Sequence, residues 1–172
     1  MMLDYEPNRN LRSTLENTIY LDLPRGRVTI KMRPDLAPRH VERIKQLTRE
    51  GFYTGAPFWR VIDGFMAQTG DPTGSGFGGS GVNLAAEFSG VRHLRGTVSM
   101  ARGDNPDSAD SQFFIVFAEA PWLDNQYTVW GEVIEGMEVV DALARGDASD
   151  KGVVQNPDRI VRMSVAADVV GN

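Results

Sequence analysis

The stretch IYLDLPRGRVTIKM, residues 19–32, decides how this chain folds. Ile19, Leu21 and Leu23 alternate with Tyr20 and Asp22, and Val28, Ile30 and Met32 alternate with Thr29 and Lys31. Successive side chains of a strand face opposite sides, so each half carries one apolar face. The PRGR between them, residues 24–27, supplies the turn, and the whole predicts a β-hairpin. Further strands fit FWRVI (58–62), FMAQT (65–69), GTVSMA (96–101), QFFIVF (112–117), YTVWGEV (127–133) and RIVRMSVAADV (159–169).

Two segments read differently. In APRHVERIKQLTREG (37–51), Val41, Ile44 and Leu47 recur at helical spacing, with Pro38 in the first turn and Gly51 as the stop. GMEVVDALARG (136–146) predicts a second, shorter helix, with Met137, Val140 and Leu143 on one side and Gly146 as terminator. Eleven of the 18 glycines fall in residues 51–96, which therefore read as loops joining short strands. Many short strands and two helices argue for a mainly β, antiparallel barrel and against a βαβ array. Residues 1–16 are polar and aperiodic and read as an N-terminal extension; residues 17–172 read as one domain.

Composition narrows the function. The net charge is -5 and the sequence pI near 5.0, so phosphate backbones are poor partners and we expect no nucleic acid. The absence of cysteine excludes disulfides, thiolate catalysis and thiolate zinc sites, and fits a reducing compartment. Asp4, Glu6 and Arg9 stand where a signal peptide would need an apolar run. The longest clear apolar run, FFIVFA (113–118), is too short to span a bilayer. We expect a cytoplasmic protein without a membrane partner.

Several site signatures fail for stated reasons. GSGFGG (74–79) has dinucleotide-loop spacing, but it does not lie between a predicted strand and helix, and Phe88 to Ala101 contains no acidic residue. His40 and His93 have no triad or zinc partners in the sequence and read as solvated side chains. DNPDSADS (104–111) puts Pro106 at a would-be calcium ligand and reads as a surface loop. No serine sits in a nucleophile elbow.

Three segments carry a positive signal: FWRVIDGFMAQTGD (58–71), GTVSMARGDNPDSADSQFFIVF (96–117) and WLDNQYTVWGEVIEGMEVVD (122–141). Their order and spacing resemble the cyclophilin family of peptidyl-prolyl isomerases, over about residues 17 to 168. The resemblance implies an eight-stranded antiparallel closed barrel capped by two α-helices, with the active face outside. It implies that Arg60 is catalytic, that Phe65, Met66, Phe114, Trp122 and Leu123 line a proline pocket, and that Gln68 and Gln112 contact substrate and orient the arginine. Ala101, Arg102 and Gly103 match the run along the bound peptide, and Tyr127 stands where many members have histidine. Trp59 also replaces a histidine, Arg102 an asparagine and Gly103 an alanine. Phe113 and Phe117 read as core.

This residue set suits a reaction with no covalent step. The barrier to Xaa-Pro rotation is the loss of amide resonance, about 18–20 kcal/mol. A guanidinium beside an apolar wall can stabilise a twisted amide, so no metal, cofactor, nucleophile or general base is expected. The implied partners are proline-containing peptides and flexible or unfolded protein segments, with cyclosporin as inhibitor, acting on a monomer. A non-catalytic proline-peptide binder or chaperone of the same fold is the competing reading; such a module would be free to lose Arg60. A ligand barrel with an internal site is disfavoured, because small barrels fill their interiors with side chains.

Overall fold

The computed structural model describes residues 7–170. Eight strands form one sheet: β1 (Thr18–Leu23), β2 (Gly26–Met32), β3 (Arg60–Ile62), β4 (Met66–Thr69), β5 (Thr97–Met100), β6 (Phe113–Val116), β7 (Val129–Glu135) and β8 (Arg162–Val165). Their order is β3-β4-β6-β5-β7-β2-β1-β8 and every ladder is antiparallel. The opening hairpin pairs in the expected register, Leu21 opposite Val28 and Ile19 opposite Ile30, with a connection of only Pro24 and Arg25. The ladder itself has two ends, β3 and β8, and the expected closed barrel is met as a curled sheet. The segments before those edges approach each other instead: Pro57 and Arg159 form an isolated bridge, and Phe58 N donates to Asp158 O at 2.9 Å.

Among the described residues there are three α-helices: α1 (Pro7–Glu16), α2 (Pro38–Arg49) and α3 (Met137–Asp141). Helix α2 buries Val41, Ile44 and Leu47, as its periodicity requires, and Gly51 leaves it at φ +76°. Its N-cap, Ala37, has no side chain to offer. Glu87 fills that role from a distant loop, accepting from His40 N at 2.8 Å and Arg39 N at 3.3 Å. Helix α3 is shorter than expected and Gly146 does not terminate it. Arg145 Nη1 takes the carbonyls of Asp141 and Leu143 at 2.7 and 2.8 Å, ending the helix there. Gly146 instead donates to Val61 O and lies so close to Gly152 that any side chain would collide with its carbonyl.

Residues 7–16, polar and without evident periodicity in the sequence, form helix α1; residues 1–6 of the expected extension lie outside the described residues. Tertiary charge pairs hold α1: Glu16 bonds Lys45 at 2.6 Å and Arg49 at 2.9 Å, and Arg49 also bonds Asp168 at 3.0 Å. No helix among the described residues is long and apolar enough to cross a membrane.

The alternation along β6 separates two apolar clusters. Phe113 and Ile115 enter the main core with Ile19, Ile30, Trp130 and Val98. Phe114 and Val116 point the other way and join Met66, Ala120 and Leu123 in a smaller cluster on the outer face. Phe113 and Phe117 are core residues, as expected.

Candidate functional site

Strand register builds the site. Arg60 lies opposite Gln68, Gln68 opposite Phe114, and Phe114 opposite Ser99, so four strands put these side chains in one row on the outer face. The adjacent row, Val61, Ala67, Ile115 and Val98, turns inward to the core. A polar or charged residue can therefore sit on each strand without entering the interior.

A pocket of about 290 Å3 opens beside that row. It is lined by ten of the twelve residues expected from the sequence: Arg60, Phe65, Met66, Gln68, Ala101, Arg102, Phe114, Trp122, Leu123 and Tyr127. Gly103 and Gln112 line an adjoining cavity of about 480 Å3, which shares Gln68, Ala101 and Arg102 with the first. Met66, Phe114 and Leu123 are buried and form the floor. Trp122 stands on the rim, 64% exposed, its ring 5.6 Å from that of Phe65.

Hydrogen bonds hold the arginine. Arg60 Nε donates to Lys151 O at 3.0 Å and Nη1 to Gln68 Oε1 at 3.2 Å. Gln68 Nε2 donates to Gln112 Oε1 at 3.0 Å, and so does Trp59 Nε1 at 3.0 Å. Gln112 Nε2 donates to Gly76 O at 2.9 Å and Gly78 O at 3.2 Å. Arg60 makes no ion pair among the described residues. Burial pulls its pKa below the usual arginine value, with a smaller opposing effect of Tyr127. A guanidinium remains protonated throughout the neutral range.

The departures from the family pattern have clear places. Tyr127 packs edge-on to Phe114 at 5.7 Å. Arg102 lies over the Tyr127 ring at 4.8 Å and over Phe88 at 5.8 Å, while its Nε donates to Gln126 O at 2.9 Å. The side chain is folded along the wall of the pocket, against Tyr127 and Gln126.

Both histidines correct the sequence reading: His40 and His93 are 0% exposed. Each found a carboxylate from a loop distant in sequence. His40 Nδ1 lies 2.6 Å from Glu87 Oε1, and His93 Nδ1 lies 3.0 Å from Asp124 Oδ1. His93 Nε2 lies 2.9 Å from Ser99 Oγ, and its ring stacks on Phe114 at 6.2 Å, so it supports the pocket floor from behind. Sequence reasoning also missed Lys151, whose contribution is a backbone carbonyl. The positive φ of this non-glycine residue, +57°, leaves no sequence signal. In the 104–111 loop the start is exposed as expected, but Asp110 accepts from Ser80 N at 2.8 Å and Gly81 N at 2.9 Å, and so secures the glycine-rich loop.

The buried histidines carry a stability prediction. Burial is the main cause that lowers both pKa values below 6.5, outweighing the neighbouring carboxylates, so the rings are neutral in the fold. The unfolded chain binds these protons first as pH falls. Their contribution is complete above about pH 6.5 and is lost as pH falls below it toward the folded values. Asp71 and Glu87 are held below their usual 3.8 and 4.5 by hydrogen bonds that outweigh desolvation, and add a second loss below about pH 4. Thermal melts should therefore fall in two stages from pH 7.5 to pH 3. A midpoint unchanged between pH 7 and 5 would contradict neutral, buried histidines.

Comparison with known proteins agrees with this geometry. The family described as "Cyclophilin type peptidyl-prolyl cis-trans isomerase/CLD" matches residues 18–165. A "Probable peptidyl-prolyl cis-trans isomerase" of Brucella suis biovar 1 (strain 1330) is 50% identical over 165 residues, which is 89% of this chain and 84% of the relative. "Peptidyl-prolyl cis-trans isomerase-like 1" of Rhizopus delemar is 41% identical over 140 residues, 77% of this chain and 84% of the relative. The crystal structure of a Cryptosporidium parvum cyclophilin, determined in the presence of the dipeptide Ala-Pro, superposes with a TM-score of 0.80 at 26% identity and covers 86% of this chain and 98% of that one. A cyclophilin from Hirschia baltica superposes with a TM-score of 0.79 at 25% identity, covering 96% of this chain and 82% of that one. With a family match from β1 to β8, the chain belongs to the cyclophilin-type peptidyl-prolyl cis-trans isomerases.

Proposed function

We propose that Arg60 accelerates rotation about Xaa-Pro bonds by donating a hydrogen bond to the prolyl nitrogen as the amide twists. In a planar amide that nitrogen shares its lone pair with the carbonyl; at the twisted geometry it becomes pyramidal and accepts. A donor in place at that moment stabilises the transition state more than either planar ground state. The observation that carries this reading is the anchorage of Arg60: Nε and Nη1 are committed to Lys151 O and Gln68, while Nη2 has no hydrogen-bond partner among the described residues. The apolar floor of Met66, Phe114 and Leu123 holds the pyrrolidine ring and keeps water from the donor.

The same reading takes proline-containing peptides and flexible segments of folding chains as substrates, and cyclosporin as an inhibitor on the Phe65–Trp122 rim. It treats the curled sheet as a barrel filled by its core, with the site outside, and residues 17–172 as the isomerase domain of a cytoplasmic monomer. Residues 1–16 are an appended segment, of which α1 packs beside residues 166–168. The acidic net charge supports peptide rather than nucleic-acid partners.

Exchange NMR on an Ala-Pro peptide with wild type and Arg60→Ala tests the mechanism. Binding without acceleration by the wild type would instead identify a holding module. The rate should be nearly flat between about pH 6 and 9, because arginine does not titrate there. A limb in the histidine range would bring His40 or His93 into the chemistry.

A further inference from the structure

The glycine-rich loop and Trp59 have no part in the chemistry above, yet hydrogen bonds connect both to Arg60. The polarity of that connection follows from donor and acceptor inventory alone. Gly76 O and Gly78 O can only accept, so the Gln112 amide must turn its NH2 toward them. Its oxygen then faces Gln68, which must answer with its own NH2, at 3.0 Å. The remaining Gln68 oxygen is thereby fixed toward Arg60 Nη1, at 3.2 Å. Trp59 Nε1, a donor that can never act as acceptor, supplies the second hydrogen bond to the Gln112 oxygen and locks the same orientation.

The loop is built to hold those two carbonyls. Asp71, fully buried, accepts from Gly76 N at 2.8 Å and Gly78 N at 3.0 Å through one oxygen, and from Thr73 N at 2.9 Å through the other. Gly76 has φ +86°, and a Cβ there would sit 2.7 Å from the Trp59 ring. A side chain at Gly78 would collide with the Asp71 carboxylate. The indole packs where Gly76 leaves room for it, which aims its N–H at Gln112.

We propose that Trp59, together with the loop carbonyls of Gly76 and Gly78, acts as a positioning device that sets the polarity of the Gln112–Gln68 amide pair and so presents an acceptor to Arg60. It acts through the amides and does not touch the twisting bond. This inference rests on the catalytic reading of Arg60. Without the device, Gln68 can rotate its amide and offer Arg60 an NH2, which repels the guanidinium and releases its aim.

Trp59→Phe is the test: phenylalanine keeps an aromatic ring at this position and removes the N–H donor, together with the outer indole edge that faces Gly76. Peptide exchange by NMR should show kcat lowered about three- to tenfold, the scale of one neutral hydrogen bond, with KM unchanged. In an Arg60→Ala background, Trp59→Phe should cause no further loss. The Arg60 guanidinium should rotate faster in Trp59→Phe than in wild type, as read from its NMR signals. Wild-type kcat in Trp59→Phe, a raised KM with kcat intact, or the same loss with and without Arg60 would overturn the relay. Wild-type turnover in Arg60→Ala alone would overturn the catalytic reading instead, so the two failures are distinguishable.

Discussion

Arg60→Ala should leave the fold intact and lower turnover of an Xaa-Pro peptide about 10²–10³-fold, the loss found when one preorganised transition-state donor is removed. The fold survives because Arg60 lies on the outer row of the edge strand β3, where its inward neighbour Val61 carries the core contact. What the protein loses there is one hydrogen bond to Lys151 O and one to Gln68. Peptide affinity should change much less than turnover, since the substitution leaves in place Met66, Phe114 and Leu123, the floor proposed to hold the pyrrolidine. The measurement is exchange NMR beside circular dichroism. A wild-type spectrum with near-wild-type turnover would refute the mechanism.

Trp122→Ala should do the reverse, weakening cyclosporin by about 2 kcal/mol or more, roughly 30-fold, while a larger share of turnover survives. Trp122 sits in the short 3-10 turn Pro121–Leu123 with most of its surface open, and within the protein its ring neighbour is Phe65. A large apolar face with one N–H donor at a pocket rim has the chemistry of a binding hot spot. Its removal costs the fold little, because little of it is buried. Calorimetry with the inhibitor and exchange NMR on both variants compare the two residues directly. If Trp122→Ala binds cyclosporin like wild type, or harms catalysis more than Arg60→Ala, the proposed roles along residues 122–127 are wrong.

Arg60, Gln68 and Phe114 were legible through the resemblance of residues 58–71 and 96–117 to the cyclophilin family. A period of two puts neighbours on opposite faces, which sends Phe113 and Ile115 to the core and Phe114 and Val116 outward. Strand pairing then needs only register to bring the outward set together. The two histidines were not legible, for a complementary reason. Whether an imidazole is buried depends on a partner, and Glu87 is 47 residues from His40 while Asp124 is 31 residues from His93. A single loop residue carries no period that would point to a mate so far away.

The sequence by itself determined the strand segments and helix α2, through local periodicity, and the set of residues around the pocket, through the resemblance of three segments to the cyclophilin family. Only the tertiary structure decided the rest. It folded residues 7–16 into a helix held by Glu16, Lys45 and Arg49, stopped α3 with Arg145, and left the ladder open between β3 and β8. It also decided which way Gln112 and Gln68 face, because carbonyls of a loop more than 30 residues away can only accept a hydrogen bond. Those features depend on backbone groups and on charges that meet across the fold, and a backbone carbonyl is the same in every sequence.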